Sequence, residues 1–116
     1  MADRILHWYI DGNIARTKEQ VGGTHKLDAD YRPQEVYMSC RLTSKGSSPT
    51  EIDILDDGTS IFTFRPALTE YQTDKTWTTM PGNTMRKGSI IRLDITQIPN
   101  IETIRDLTVE LELEKV

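Results

Sequence analysis

Four carboxylates crowd one short stretch of this chain: Glu51, Asp53, Asp56 and Asp57 in EIDILDDGTSIFTFRP, residues 51–66, beside Gly58 and the hydroxyls of Thr59 and Ser60. Carboxylates at this density can hold a hard cation, and helix-flanked calcium loops set oxygen ligands at alternate positions and close with a bidentate glutamate. Counted from Asp53, however, Leu55 takes the third place, where a ligand is needed, and Phe64 takes the closing one. The flanks, IDIL and TSIFTF, are β-branched and aromatic rather than helical. Asp57-Gly58 between them is a strong signal for a two-residue hairpin turn, because both residues tolerate positive φ. The stretch reads as a bend, not a metal site.

The other reactive side chains are sparse. Asp53 and Asp94 are candidates for glycosidase work if their strands are neighbours. Both alternate with isoleucines, so the expectation is that they face solvent or cap a neighbouring strand. His7 and His25 are the only histidines. His7 falls opposite the Leu6, Trp8, Ile10 phase of a strand, where a solvent-facing or interface imidazole is expected, and a general base also needs a positioned partner. Cys40 shares the apolar phase of Val36, Met38 and Leu42, which suits a small buried hydrophobe better than a nucleophile. No nucleophile elbow, glycine-rich phosphate loop or paired-histidine motif occurs. The sequence therefore predicts no catalytic residue, no cofactor and no metal. Among the aromatics, Trp8 belongs to a core phase, whereas Tyr71 and Trp77 lie in a threonine-rich segment and are expected to be exposed. Such residues suit sugar stacking and subunit contacts equally.

Composition sets the frame for these residues. A chain of 116 residues fits a single domain, 1–116, long enough to bury a core. The net charge of −4 and a pI of about 5.1 give no overall electrostatic case for nucleic acid or an anionic membrane. One cysteine excludes an internal disulfide and a cysteine-rich metal framework. The opening MADRILHWYID holds no apolar run of signal-peptide length, so a soluble protein without a recognisable export signal is expected.

The elements that must position these side chains follow a period of two. Leu6, Trp8 and Ile10 share one face of a first strand that stops at Asp11-Gly12-Asn13. Residues 13–24 are polar, end in Gly22-Gly23 and read as a loop, followed by a short edge strand from His25 to Asp30 that Pro33 halts. QEVYMSCRLTS reads as a strand with Val36, Met38, Cys40 and Leu42 on one side. The Asp57-Gly58 hairpin carries Ile52 and Ile54 on one arm and Ile61, Phe62 and Phe64 on the other. Residues 67–82 fit either one strand or a long loop closed by Pro81-Gly82. SIIRLDITQI and DLTVELELEKV are strong strands. In the last, Leu107, Val109, Leu111 and Leu113 alternate with Thr108, Glu110, Glu112 and Glu114, giving one core face and one solvated face. About seven or eight short strands without an amphipathic helix predict an all-β antiparallel sandwich of jelly-roll type.

HWYIDG near the start, IDILDDGTSIF followed by RP, KGSIIRLDITQIP and the closing DLTVELEL together resemble the small β-sandwich domains of structural proteins in tailed bacteriophages, across about residues 4–114. Relatives of this type carry a polar residue where Leu55 stands. The resemblance implies a non-enzymatic virion protein on the particle surface, made in the host cytoplasm, and favours a capsid decoration or head-auxiliary protein. Its implied partners are its own copies, as a homotrimer, and the major capsid protein or another virion protein, without nucleic acid or membrane. Two alternatives stand beside it: a tail or adsorption appendage that binds a host glycan or protein through Tyr71 and Trp77, and a small carbohydrate-active sandwich enzyme built on a carboxylate pair.

Overall fold

The computed structural model describes residues 2–78, 80 and 82–116. Among the described residues, nine strands run in chain order: β1 (Arg4–Asn13), β2 (Lys18–Lys26), β3 (Tyr31–Ser39), β4 (Thr50–Asp56), β5 (Thr59–Ser60), β6 (Ala67–Leu68), β7 (Asp74–Trp77), β8 (Ile90–Gln97) and β9 (Arg105–Lys115). The organising point is the turn at Asp57-Gly58. Both residues have positive φ, 48° and 87°, and join β4 to β5 with Asp56 opposite Thr59. Every ladder nests around this turn. β4 pairs with β5 and β6, β3 with β7, β2 with β8 and β1 with β9, so each partner lies about as far after the turn as its mate lies before it. The chain is one long antiparallel ribbon bent at its midpoint.

A ribbon of paired strands leaves its apolar face open, and rolling it up buries that face. Rolling brings β3 beside β9 and β4 beside β8. The result is two antiparallel sheets in the orders β1-β9-β3-β7 and β2-β8-β4-β5. This is the double Greek-key order of a jelly-roll sandwich. Leu6, Trp8, Val36, Met38, Leu107, Val109, Leu111 and Leu113 project inward from the first sheet, and Val21, Ile52, Ile54, Ile91, Leu93 and Ile95 from the second. β9 lies between β1 and β3, and its four alternating apolar side chains are fully buried.

One lateral side of the sandwich is stitched across the sheets. Trp8 Nε1 donates to the Gly23 carbonyl at 3.2 Å, and His25 Nε2 lies 3.0 Å from the His7 carbonyl, with the His25 ring edge-on to Trp8. Gly22 lies close against the Trp8 side chain, where it holds φ of 69°. These contacts explain why residues 18–26 form a strand rather than the expected loop. The pairing of β2 with β8 shifts register twice, and Gln20, Gly22 and Gly23 take positive φ. Bulges break the period of two, so only Val21 reaches the core and the alternation disappears from the sequence.

Other expectations shift for equally local reasons. Of the residues from His25 to Asp30, only His25 and Lys26 are in a strand, the end of β2. Pro33 lies inside β3, opposite Leu113, and does not halt it; β7 begins to pair only at Val36, so no ladder bond is needed from the missing N–H. β3 ends at Ser39, which leaves Cys40 half-buried and Leu42 exposed. The second hairpin arm is only two residues long; Ile61 turns inward while Phe64 is 88% exposed. Residues 67–78 hold two short strands, β6 and β7, joined by a tight turn, and Pro81 of the expected closing turn lies outside the described residues.

Candidate functional site

The carboxylates of residues 51–57 diverge. The Asp57 N–H and side chain both engage Ile90, donating to its carbonyl at 3.0 Å and accepting from its N–H at 2.8 Å, which docks the turn onto β8. Glu51 and Asp53 point to the outer face of the second sheet. There Asp53 stands directly opposite Asp94, so the two candidate strands are neighbours. Of the two expectations for these aspartates, facing solvent does not hold, since Asp53 is 3% exposed and Asp94 6%, whereas Asp94 does cap a neighbouring strand through the Gln20 N–H of β2. Sequence alternation placed them correctly on the outer face, but two arginines and a strand bulge lie over them.

All four oxygens of this pair are engaged. Asp53 Oδ1 accepts from Ser60 Oγ at 2.5 Å, and Oδ2 lies 3.2 Å from Arg65 Nε. Asp94 Oδ1 accepts from the Gln20 N–H at 2.9 Å, and Oδ2 from Arg92 Nη2 at 3.3 Å. Arg92 Nε is also 3.2 Å from Asp94 Oδ1, an ion-pair distance without hydrogen-bond alignment. Arg65 reaches Glu51 as well, at 3.5 Å, and Thr96 Oγ1 donates to Glu51 at 2.8 Å. A glycosidase needs two carboxyl groups aimed at a sugar between them. Here they are aimed at guanidinium, hydroxyl and backbone groups that fasten residues 60–65 and the β2 bulge to the sheet. Among the described residues, no group of three His, Cys, Asp or Glu side chains is placed to hold a metal ion.

The His25 ring serves the lateral stitch described above, whereas His7 contributes only its backbone carbonyl and its side chain is exposed, as expected. The Cys40 thiol donates to the Gln72 carbonyl at 3.6 Å, and burial, aided by the charge of Asp74, pushes its pKa up, away from the thiolate form a nucleophile requires.

The more distinctive surface is the end of the sandwich where four connections meet: 14–17, 40–49, 69–73 and 98–104. They are tied to one another through the backbone. Ile14 donates to Ile104, Arg41 to Arg105, Lys45 to Glu102, Ile101 to Lys45, Cys40 to Thr73 and Tyr71 to Ser44, at 2.8–3.2 Å. Side chains add further ties. Glu70 accepts from the Gly46 N–H at 2.8 Å and Asn100 Oδ1 from the Ser47 N–H at 3.0 Å. Arg41 bridges to Asp106 at 2.5 Å and holds that carboxyl below the usual carboxylate range, helped by the Gly12 N–H.

This rigid end presents apolar side chains to solvent. Ile101 is 65% exposed, Tyr71 63% and Leu42 47%. Leu42 and Ile101 line one shallow concavity of about 520 Å³ with Asn13, Thr43 and Arg105 among its walls. Tyr71 is held on the other side of the same 40–49 loop by its bond to Ser44. It sits at φ of 64° in a turn closed by Gln72 N–H to the Thr69 carbonyl and by Thr69 N–H to Gln72 Oε1. A bulky residue in the left-handed region is uncommon, and it is held there by the turn on both sides. Trp77 is placed differently. It lies in β7 opposite Val36, half-buried against the core, with the Lys75 ammonium 5.4 Å from its ring centre. Sequence reading picked out Tyr71 but missed Leu42 and Ile101. Leu42 continues the apolar period of Val36, Met38 and Cys40 in the sequence, but β3 ends at Ser39, and Ile101 is a lone apolar residue between Asn100 and Glu102.

No protein family, curated protein or solved structure matches this chain in comparison.

Proposed function

We propose that this chain is a non-enzymatic structural protein of a tailed-bacteriophage particle, attached to the capsid exterior as a decoration or head-auxiliary protein. The observation that carries this reading is the loop end. Leu42 and Ile101 share one exposed concavity, and Tyr71 is exposed across the same loop, on connections that backbone hydrogen bonds have already fixed, so little ordering entropy opposes docking. The engagement of Asp53 and Asp94 by arginines favours a binding role over hydrolysis. Jelly rolls recur in viral capsids and in lectins alike, so the fold supports the class without selecting the role. The phage assignment rests on the resemblance of the HWYIDG, IDILDDGTSIF, KGSIIRLDITQIP and DLTVELEL segments to virion sandwich domains. An appendage that binds a host glycan is the competing reading, because an exposed Tyr71 held by its turn and by the Ser44 carbonyl also suits sugar stacking.

Co-sedimentation with undecorated capsids separates the two readings. The wild-type protein is expected to bind, and a Tyr71→Ser, Ile101→Ser double variant to lose most of that binding while keeping its melting temperature. Retention of a glycan on an array with no capsid binding would overturn the decoration reading in favour of the appendage.

A further inference from the structure

Like charges face each other on the outer side of the first sheet. Glu35 of β3 stands directly opposite Glu112 of β9, where β3 shifts register after Pro33. Glu110 and Glu114 flank Glu112 on the same face of β9; Tyr37 stands opposite Glu110 and Arg32 opposite Glu114. From β1, Ile5 faces Glu112 and His7 faces Glu110, while β7 places Thr76 beside Tyr37 and Lys75 beside Met38. Among the described residues, no ion pair reaches Glu35 or Glu112. Both line a shallow, open depression of about 370 Å³ with Ala2, Gln34 and Glu114, so solvent protons reach them freely.

Opposed carboxylates on neighbouring strands repel. Glu35 and Glu112 share one face and one depression, so their mutual repulsion is relieved when either carboxyl takes up a proton. An ionised carboxylate is an acceptor only, so the two can hydrogen-bond to each other only when one of them carries a proton. We propose that Glu35 and Glu112 form a proton-sharing carboxyl pair that makes the sandwich more stable in mildly acidic solution than at neutral pH. One proton taken from water becomes an O–H on one carboxyl and is accepted by the other, and the charge of the pair falls from −2 to −1. The hydrogen bond to Glu112, with burial and the charge of Glu112, raises the Glu35 pKa above its ordinary 4.5. The folded chain then binds this proton more tightly than the unfolded chain. The stabilisation is full below the unfolded value and is lost as the pH rises through the folded one. Asp28, held low first by the Tyr31 hydroxyl, and Asp106, held low first by Arg41, act in the opposite sense: their stabilisation is present above the ordinary 3.8 and is lost as the pH falls below it. The two windows are separate.

Thermal melts of the wild type, Glu35→Gln, Glu112→Gln and Glu114→Gln between about pH 4.5 and 7.5 test this. The wild-type melting temperature is expected to rise by a few degrees relative to Glu112→Gln as the pH falls, and Glu35→Gln and Glu112→Gln are expected to melt above wild type at neutral pH. Glu114→Gln should keep the wild-type slope. His7 and His25 are common to all four proteins and cancel in the differences. A carbon-detected NMR titration of the Glu35 carboxyl gives an independent readout, with a midpoint above 4.5 in the wild type that returns toward the ordinary value in Glu112→Gln. Equal melting slopes in wild type and Glu112→Gln, or an ordinary Glu35 midpoint in the wild type, would overturn the proposal.

Discussion

Gly46 shows how much of the loop end is decided by single atoms. It holds φ of 134°, and a β-carbon on it would stand 2.0 Å from Asn100 Oδ1. That oxygen accepts from the Ser47 N–H while Asn100 Nδ2 donates to Ser47 Oγ. Gly46→Ala must therefore push Asn100 away and break the tie between two connections. A loss of about 1–3 kcal/mol is expected in urea unfolding, comparable to other overpacking substitutions. If the loop end carries attachment, the same variant should bind capsids more weakly than its residual stability alone explains. Asp53 teaches the converse lesson at this scale. Its phase on β4 was readable, but its burial came from Ser60 and Arg65, residues that the chain brings back across the strand after the turn.

At the scale of elements, the turn and the last strand bear the most. Asp57-Gly58 is the bend about which every ladder nests, and Gly58 sits at φ of 87° with open space around it. Gly58→Val meets no steric neighbour there, so any loss comes from backbone strain. Roughly 1–3 kcal/mol is expected because a β-branched residue resists positive φ. Added calcium should leave the melting temperature unchanged, since Asp57 is spent on Ile90 and Asp53 on Ser60 and Arg65. A calcium-dependent rise of several degrees would show that these carboxylates rearrange into a cation site. Leu111 lies in the central strand opposite Leu6 and Val36 and is fully buried. Leu111→Ala should cost about 2–5 kcal/mol. Glu110→Gln on the outer face of the same strand should change stability by less than about 0.5 kcal/mol. Equal losses from the two would mean that the faces of β9 are exchanged.

At the scale of the molecule, attachment to a lattice favours several copies acting together. A capsid surface offers three-fold positions, and three tethered copies of a weakly binding end gain effective concentration without any new kind of contact. On the proposed decoration role a homotrimer is the expected assembly, and light scattering on purified protein should then give three times the 13.3 kDa chain mass. A strictly monomeric species at high micromolar concentration, together with no binding to undecorated capsids, would move the reading to a tail appendage.

The sequence alone determined the class of fold and the inward face of its best strands. Alternation in residues 4–10, 35–39, 90–97 and 105–113 is local, and it survives into the structure because each of these strands has one side in the apolar core and a polar outer side, even where that side is covered as at Asp94. It also located the central turn, since positive φ at two successive residues demands particular side chains. Tertiary structure decided what had no local period. β2 is bulged, so its pattern is erased; β5 and β6 are too short to alternate; Pro33 is tolerated only because of where β7 begins. The loop end is the most tertiary feature of all. Its platform joins residues 14, 41–47, 70–73 and 100–105, which approach one another only once the ribbon has rolled, and no spacing within any one of these segments records the contact.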